Sequence, residues 1–237
     1  MHRFIASFPF VVGSEVLLDP IQSHHLARVL RLEAGVRVLL VDGQGAVAEA
    51  TVVEVRPKAV RTQVEKVERR EDRSRLSLCF ALPKGQALDF VFRRVTELGV
   101  ESFQPLQTRY STPAKGWNME RWNGVVAEVC KQCEDPFFPT VLAPLTLTQW
   151  LSDRDPTRAL VLCDENARAG KLAELPIGGI DLVVGAEGGF SREEVGALEK
   201  QGAHFLGLGP NRLRAETAAL VAVTLLKQAV GELSRLE

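Results

Sequence analysis

With 46% hydrophobic and 25% charged side chains in 237 residues, the chain carries enough apolar material for one large or two modest cores. A formal net charge of -1 supplies no global attraction to nucleic acid, so any affinity for RNA must come from local basic patches. No apolar run approaches the ~20 residues that span a bilayer, the apolar stretch near the start is too short for a signal peptide, and the few cysteines suit thiols in a reducing compartment; a soluble cytoplasmic protein is expected.

Residues 1–70 read as a small β-rich unit. Val36 to Asp42 and Val47 to Val55 are apolar or alternating runs joined by Asp42-Gly43-Gln44-Gly45, a strong hairpin signal, and Ala59 to Val67 alternates again as a third strand. Strands joined by short turns imply a small barrel or folded sheet. One helix interrupts them. Ser23 is its candidate cap, Leu26, Val29 and Leu30 are expected to face inward, and His24, Arg28 and Arg31 recur at i, i+4 and i+7 on another face. That stripe suits either a phosphate backbone or plain solvation.

Glu68 to Arg75 is a dense mixed-charge run without an apolar anchor, which predicts a linker between a domain of residues 1–70 and a second of residues 76–237. Leu76 to Ala81 is strand-like and ends at Pro83-Lys84-Gly85. Leu88 to Leu98 has helical spacing, with Arg93 and Glu97 placed to pair at i, i+4, and after Gly99 the run Val100 to Leu106 resumes as a strand. This rhythm marks an α/β unit with a parallel sheet covered by helices.

Tyr110 to Gly116 reads as a loop. Arg121 to Cys133 follows as an amphipathic helix, with Trp122, Val125, Val126, Val129 and Cys133 on its inner face. Cys130-x-x-Cys133 lies inside that pattern with no second pair at ligand spacing, so it reads as structural thiols and no metal is implied. Thr148 opens a short helix, and Ala159 to Cys163 is an apolar strand ending in Asp164-Glu165-Asn166.

Residues 180–218 form two consecutive strand-loop-helix units, each with a glycine-bearing loop. Ile180 to Val184 is a strand. Gly185, Gly188 and Gly189 then let bare backbone face a ligand, and Ser191 with Glu194 makes a capping box that starts a helix at Arg192 and stops at Gly202. His204 to Leu208 is the second strand, and a helix begins near Glu216. In open parallel sheets ligands bind beyond the strands' carboxyl ends, so the ends at Cys163, Val184 and Leu208 should wall one pocket. Spacing excludes two fingerprints: Arg212 stands where Gly207-x-Gly209 would need a third glycine, and no phosphate-cradling G-x-x-x-x-G-K-[ST] occurs.

Gly185-x-Glu187-Gly188-Gly189-Phe190-Ser191-x-x-Glu194, followed by Leu208-Gly209-x-x-x-Leu213-Arg214-x-Glu216-Thr217-Ala218, resembles the signature of the RsmE-type methyltransferases. These make 3-methyluridine in 16S ribosomal RNA and belong to the SPOUT superfamily. The resemblance implies a C-terminal SPOUT trefoil-knot methyltransferase domain with a parallel sheet and a small N-terminal PUA-like β-barrel domain that grips RNA. It also implies S-adenosyl-L-methionine as methyl donor, 16S ribosomal RNA or the small ribosomal subunit as partner, and a homodimer. The last helix, Glu216 to Leu236, would help form that dimer; its apolar positions are Ala219, Leu220, Val223, Leu226, Val230 and Leu233.

For the site, the resemblance implies that Leu162, Val184, Leu208 and Leu213 form an apolar slot for adenine with the main chain of Gly185 and Gly209, and that Cys163 also belongs to the cofactor set. Glu187, Glu216 or loop carbonyls would balance the sulfonium, Gly188 and Gly189 would let the backbone close on the ligand, and Thr217 and Ala218 would complete the cofactor set. Arg214 would hold or stabilise the target base or its phosphate, with Glu216 as proton acceptor; the competing reading of this pair is an ion pair capping the final helix. RNA contact falls to His24, Arg28 and Arg31, whose His24-His25-Leu26-Ala27-Arg28 run looks like the family's N-terminal motif, and to Lys84, Arg93 and Arg94. The chain departs from the family at Ala186, usually proline, at Asn211-Arg212, usually arginine and an aliphatic residue, at Arg93-Arg94, usually Gln-Lys, and at Lys131 and Asp135.

Two other classes compete. A catalytically silent RNA-binding or ribosome-assembly protein on the same fold is disfavoured by the intact Gly188-Gly189 and Arg214-Ala215-Glu216-Thr217, and a nucleotide-dependent oxidoreductase by the missing glycine.

Overall fold

The computed structural model describes residues 1–6, 9–165, 167 and 178–233. Asn166 and the expected end of the last helix at Leu236 lie outside them. The chain divides into two compact units, Met1–Arg73 with Ala127–Phe138, and Ser74–Val126 with Pro139–Glu237.

The first unit contains β1 (Arg3–Ile5), β2 (Glu15–Leu17), α1 (Pro20–His24), β3 (Arg37–Val41), β4 (Ala46–Glu54) and β5 (Arg61–Arg69). Its strands form a curled half-barrel in the order β1-β3-β4-β5-β2. Along β4 buried and half-exposed residues alternate, as a period of two demands, which turns Ala46, Ala48, Ala50 and Val52 onto a core shared with Phe4, Leu40 and Val64. β5 runs to Arg69, so the charged stretch expected as linker begins as ordered strand.

The helix of this unit differs from expectation. Its cap is Asp19, whose carboxylate accepts from the Gln22 N–H at 2.8 Å, with Pro20 in the first turn where a missing N–H costs nothing. Ser23 is instead fully buried, its hydroxyl donating to the Leu18 carbonyl and accepting from the Val60 N–H, both at 3.0 Å. A π-helical turn, His25–Val29, then widens the coil. Leu26 stays in the core, whereas Val29 is 62% exposed rather than inward.

The second unit holds β6 (Leu76–Ala81), α2 (Ala87–Glu97), β7 (Ser102–Gln107), α3 (Met119–Cys133), β8 (Thr140–Val141), β9 (Leu145–Thr146) and α4 (Leu147–Asp153). The chain continues through β10 (Ala159–Cys163), β11 (Ile180–Val184), α5 (Arg192–Lys200), β12 (His204–Leu206) and α6 (Ala215–Ala229). The residues of α3 divide between the two units after Val126. The seven-stranded sheet runs β12-β10-β11-β6-β7-β8, with β9 also on β7, and every pair is parallel. β6 and β11 are buried along their whole lengths, which explains their near-continuous apolar runs.

Asp181 is the charged exception within β11. It meets Arg158 at 2.7 Å and Arg154 at 3.3 Å, and Arg158 also reaches Glu101 at 2.9 Å. Such a buried carboxylate persists only when its lone pairs are filled. The side chains of α2 pack through Phe92, which stacks on Trp122 with ring centroids 4.4 Å apart.

Several local expectations shift. Arg93 pairs back to Asp89 at 2.7 Å, and Glu97 takes Arg94 at 2.6 Å, so the expected Arg93–Glu97 pair does not form. The cap of α4 is Thr146 rather than Thr148, because Gln149 stands three residues beyond it and completes a capping box. On α3 Cys130 is buried while Cys133, at the open last turn before Glu134 reverses the chain with φ 66°, is exposed. α6 buries Ala219, Ala222, Val223 and Leu226 but ends at Ala229, which leaves Val230 and Leu233 partly exposed. No helix among the described residues is long and apolar enough to cross a membrane.

Candidate active site

The site grows from the loop after β11. Ala186 to Gly189 closes a tight turn, with the Gly189 N–H donating to the Ala186 carbonyl at 2.9 Å and Gly189 at φ 66°, a left-handed conformation that disfavours any side chain. Gly188 is required for space: a Cβ there would fall 2.8 Å from the Cβ of Tyr110. Ser191 and Glu194 form the expected capping box of α5. The Glu194 carboxylate also accepts from the Arg109 N–H at 2.7 Å, and the Glu187 carboxylate accepts from the Lys84 N–H at 2.9 Å. The glycine turn is therefore held by the loops after β6 and β7.

The second loop follows β12, which ends at Leu206 rather than Leu208. Releasing Leu208 and Gly209 from the sheet frees their backbone to line a ligand site. Arg212 reaches out of this loop, with Nε 3.1 Å from Glu165 Oε2 and Nη2 donating to the Glu187 carbonyl at 3.3 Å. Arg214 is the N-cap of α6 through its backbone, its carbonyl accepting from the Ala218 N–H at 2.8 Å. No ion pair joins Arg214 to Glu216 among the described residues.

Together these loops enclose a cavity of about 410 Å³, inside the size range of small-molecule sites. The three strand ends meet there: Leu162 and Cys163, Val184 and Gly185, then Leu208 and Gly209 all line it. Glu187, Gly188, Gly189, Leu213 and Ala218 complete the expected set on its wall. Burial pushes the Cys163 thiol up to about 12, so this sulfur is wall, not nucleophile.

Three expected residues are not on the wall. Ala215 and Ala218, three apart on α6, share the face turned to the cavity, so Thr217 points to solvent. Arg214 is exposed and Glu216 half-buried, both beside the lining rather than in it. Reasoning from sequence passed over Phe190, Arg192, Val195 and Ala215. Val195 was legible as part of the α5 stripe and Phe190 as part of the signature; Arg192 carried no signal, because a helix-start arginine is ordinarily solvated.

The residues expected on RNA fall in both units. His24, Arg28 and Arg31 are all exposed, but His24 ends α1, Arg28 sits in the π-helical turn and Arg31 has φ 53°, so no single α-helix carries them. Lys84 is exposed on the loop that holds Glu187, while Arg93 and Arg94 are engaged by Asp89 and Glu97. Among the described residues no cluster of metal-ligating side chains occurs.

A parallel α/β sheet with a cavity of exposed main chain at its carboxyl edge, together with a separate β-rich unit, defines a two-unit protein with a small-molecule site at a sheet edge. The description "RNA methyltransferase domain" matches residues 70–227 and "RNA methyltransferase PUA domain" matches residues 18–65. The chain belongs to this RNA methyltransferase family. The chain is 32% identical over 230 residues to a Synechocystis protein named ribosomal RNA small subunit methyltransferase E, covering 94% of this chain and 76% of that one. A Bacillus subtilis protein of the same name is 30% identical over 233 residues, 91% of this chain and 88% of that one. In three dimensions the chain matches the crystal structure of the Neisseria gonorrhoeae ribosomal RNA small subunit methyltransferase E bound to S-adenosyl methionine, with a TM-score of 0.89 at 25% identity over 96% of this chain and 97% of that one. The fold is thus the SPOUT methyltransferase architecture with a PUA-like unit.

Proposed function

We propose that the protein transfers a methyl group from S-adenosyl-L-methionine to the N3 nitrogen of a uridine in 16S ribosomal RNA. The observation that carries this reading is the cavity of about 410 Å³ at the meeting of the carboxyl ends of β10 and β11 with the loop after β12. Its residues fit the donor. Leu162, Val184 and Leu208 suit the adenine faces, and the main chain of Gly185 and Gly209 suits its edge. Gly188, where any Cβ would strike Tyr110, keeps the wall thin. Glu187 brings negative charge for a sulfonium, which when bound supplies an electrophilic methyl carbon.

Methyl transfer by direct displacement depends mainly on alignment. The protein's second task is the proton: neutral uridine carries one on N3 and must lose it to attack. In this reading Glu216, at the first turn of α6, accepts that proton. Arg214, beside it and free of side-chain bonds among the described residues, stabilises the negative charge that develops on the base or grips its phosphate.

The RNA is held by a PUA-like domain of residues 1–70 through His24, Arg28 and Arg31, and beside the catalytic domain of residues 76–237 by Lys84, Arg93 and Arg94. The pairs of Arg93 and Arg94 are solvent-exposed and weak enough for phosphates to displace. A cytoplasmic homodimer follows from the same reading, supported by Leu225, Val230 and Leu233, each 38–41% exposed at the carboxyl end of α6 and just beyond it. Calorimetric titration with S-adenosylmethionine and nucleoside mass spectrometry of ribosomal RNA from cells lacking the protein test the reaction. Loss of 3-methyluridine is expected, and an unchanged nucleoside profile would overturn it. Arg214→Ala should slow single-turnover methylation at least a hundredfold with the fold intact, which tests the role of that residue.

A further inference from the structure

We propose that Tyr110 is a stacking platform for an RNA base brought to the mouth of the cavity, an inference that rests on the methyltransferase reading and adds a positioning residue to it. Tyr110 is the chain's one tyrosine and lies in the loop between β7 and α3. It is 48% exposed, a large aromatic outside the core, and its hydroxyl has no hydrogen-bond partner among the described residues. One side of the side chain rests on Gly188, whose added Cβ would meet Tyr110 Cβ at 2.8 Å, Cγ at 3.0 Å and Cδ2 at 3.4 Å. Gly188 itself lines the cavity. The side chain therefore packs on a residue of the cavity wall from outside the lining, with about half of its surface exposed.

The loop beneath it is tied down by hydrogen bonds. The Thr108 N–H donates to the Ser111 hydroxyl at 2.9 Å, and the Arg109 N–H is held by Glu194 at 2.7 Å. Thr112 ties the loop to its neighbour, its N–H donating to the Leu82 carbonyl at 2.9 Å and its hydroxyl to the Pro83 carbonyl at 3.1 Å. An aromatic ring fixed in this way loses little freedom when a base stacks on it. A nucleotide presented for chemistry on its ring has left its stack and needs a replacement surface, and aromatic side chains supply one for any base. Arg109 and Lys84 are exposed on the same pair of loops, cations available to phosphates.

The test compares Tyr110→Ala and Tyr110→Phe in the full chain. Small ribosomal subunits lacking the methyl group serve as substrate, and S-adenosylmethionine binding is measured separately by calorimetry. Tyr110→Ala should raise KM for the RNA substrate at least tenfold, with cofactor Kd and Tm within error of the unaltered protein. Tyr110→Phe, which keeps the ring, should stay within about twofold of the unaltered KM. An unchanged KM in Tyr110→Ala, equal damage from both variants, or a loss confined to cofactor binding would each overturn the platform while leaving the reaction assignment standing. A protein that binds S-adenosylmethionine but transfers no methyl to the subunits would overturn both.

Discussion

The Arg212 guanidinium lies 3.1 Å from the Glu165 carboxylate and also donates to the Glu187 carbonyl, so one side chain from the loop after β12 fastens the ends of β10 and β11 across the cavity mouth. Both charged groups are largely exposed, and such a pair contributes at most about 1 kcal/mol to global stability. Its effect should fall on the ligand instead. Arg212→Ala and Glu165→Gln are each expected to weaken S-adenosylmethionine binding by roughly three- to tenfold with Tm unchanged, and Arg212→Lys to fall between, since an ammonium cannot span both acceptors with a fixed fork. Calorimetry and thermal melts check this; full affinity in Arg212→Ala would count against the clasp.

The two glycines of the first turn should fail differently. Gly188→Ala places a Cβ 2.8 Å from Tyr110 Cβ, a clash that must displace the turn or the loop that grips it. Gly189→Ala meets no neighbour within 4 Å but must hold φ 66°, at a cost of about 1 kcal/mol. Cofactor affinity should therefore drop further in Gly188→Ala. Combining Gly188→Ala with Tyr110→Gly, which removes the clashing Cβ as well as the ring, should restore part of the loss, a non-additivity that a double-mutant cycle measures directly.

Asp181 sits between Arg154 and Arg158, with side-chain exposures of 7%, 4% and 17%. Removing the anion leaves Arg154 enclosed without a carboxylate and Arg158 with Glu101 alone, so Asp181→Ala is expected to cost about 3–5 kcal/mol in urea unfolding. The network lies at the start of β11, at the end opposite the cavity, and the folded fraction should retain its cofactor affinity. A destabilisation under about 1 kcal/mol would show that the arginines are hydrated after all.

The Cys133 thiol is lowered to about 7, chiefly by the hydrogen bond from Cys130, whose own thiol is raised in exchange and by burial. The thiolate is the reactive form, so alkylation of Cys133 should climb as pH rises through about 7 and level off above it. Cys79, raised well above the ordinary thiol range by full burial, should stay unmodified over the same range. Cys130→Ala removes the donor and should move the midpoint toward about 8.5. Peptide mapping after brief iodoacetamide exposure at a series of pH values reads this out.

Much of this was legible because strands and caps are local. Leu76 to Ala81 and Ile180 to Val184 announce themselves as apolar runs between breakers, and Ser191 with Glu194 is a cap in any context. The same logic mislaid two caps, at Ser23 and Thr148, where a better-placed Asp19 and Thr146 stood a few residues upstream. The π-helical turn that exposes Val29 was not legible, since periodicity assumes 3.6 residues per turn. In the site, the walls followed from glycine spacing and strand ends, but the orientation of Thr217 depends on the phase at which α6 starts, and a shift of one residue turns a side chain by about 100°. Tyr110 was invisible as a site element because its partner Gly188 is remote in sequence and brought near only by the parallel pairing of β6 with both β7 and β11.

The position of β11 between β6 and β10 also governs when this protein becomes competent. During synthesis β6 and β10 both emerge before the strand that separates them, so β6 keeps one open edge and β10, whose other neighbour β12 comes later still, keeps both, which invites aggregation or chaperone capture. Shortened products that stop before β11 would lack the middle of their own sheet. Ligand occupancy can then serve as a folding reporter, registering only molecules whose late strand has been threaded home.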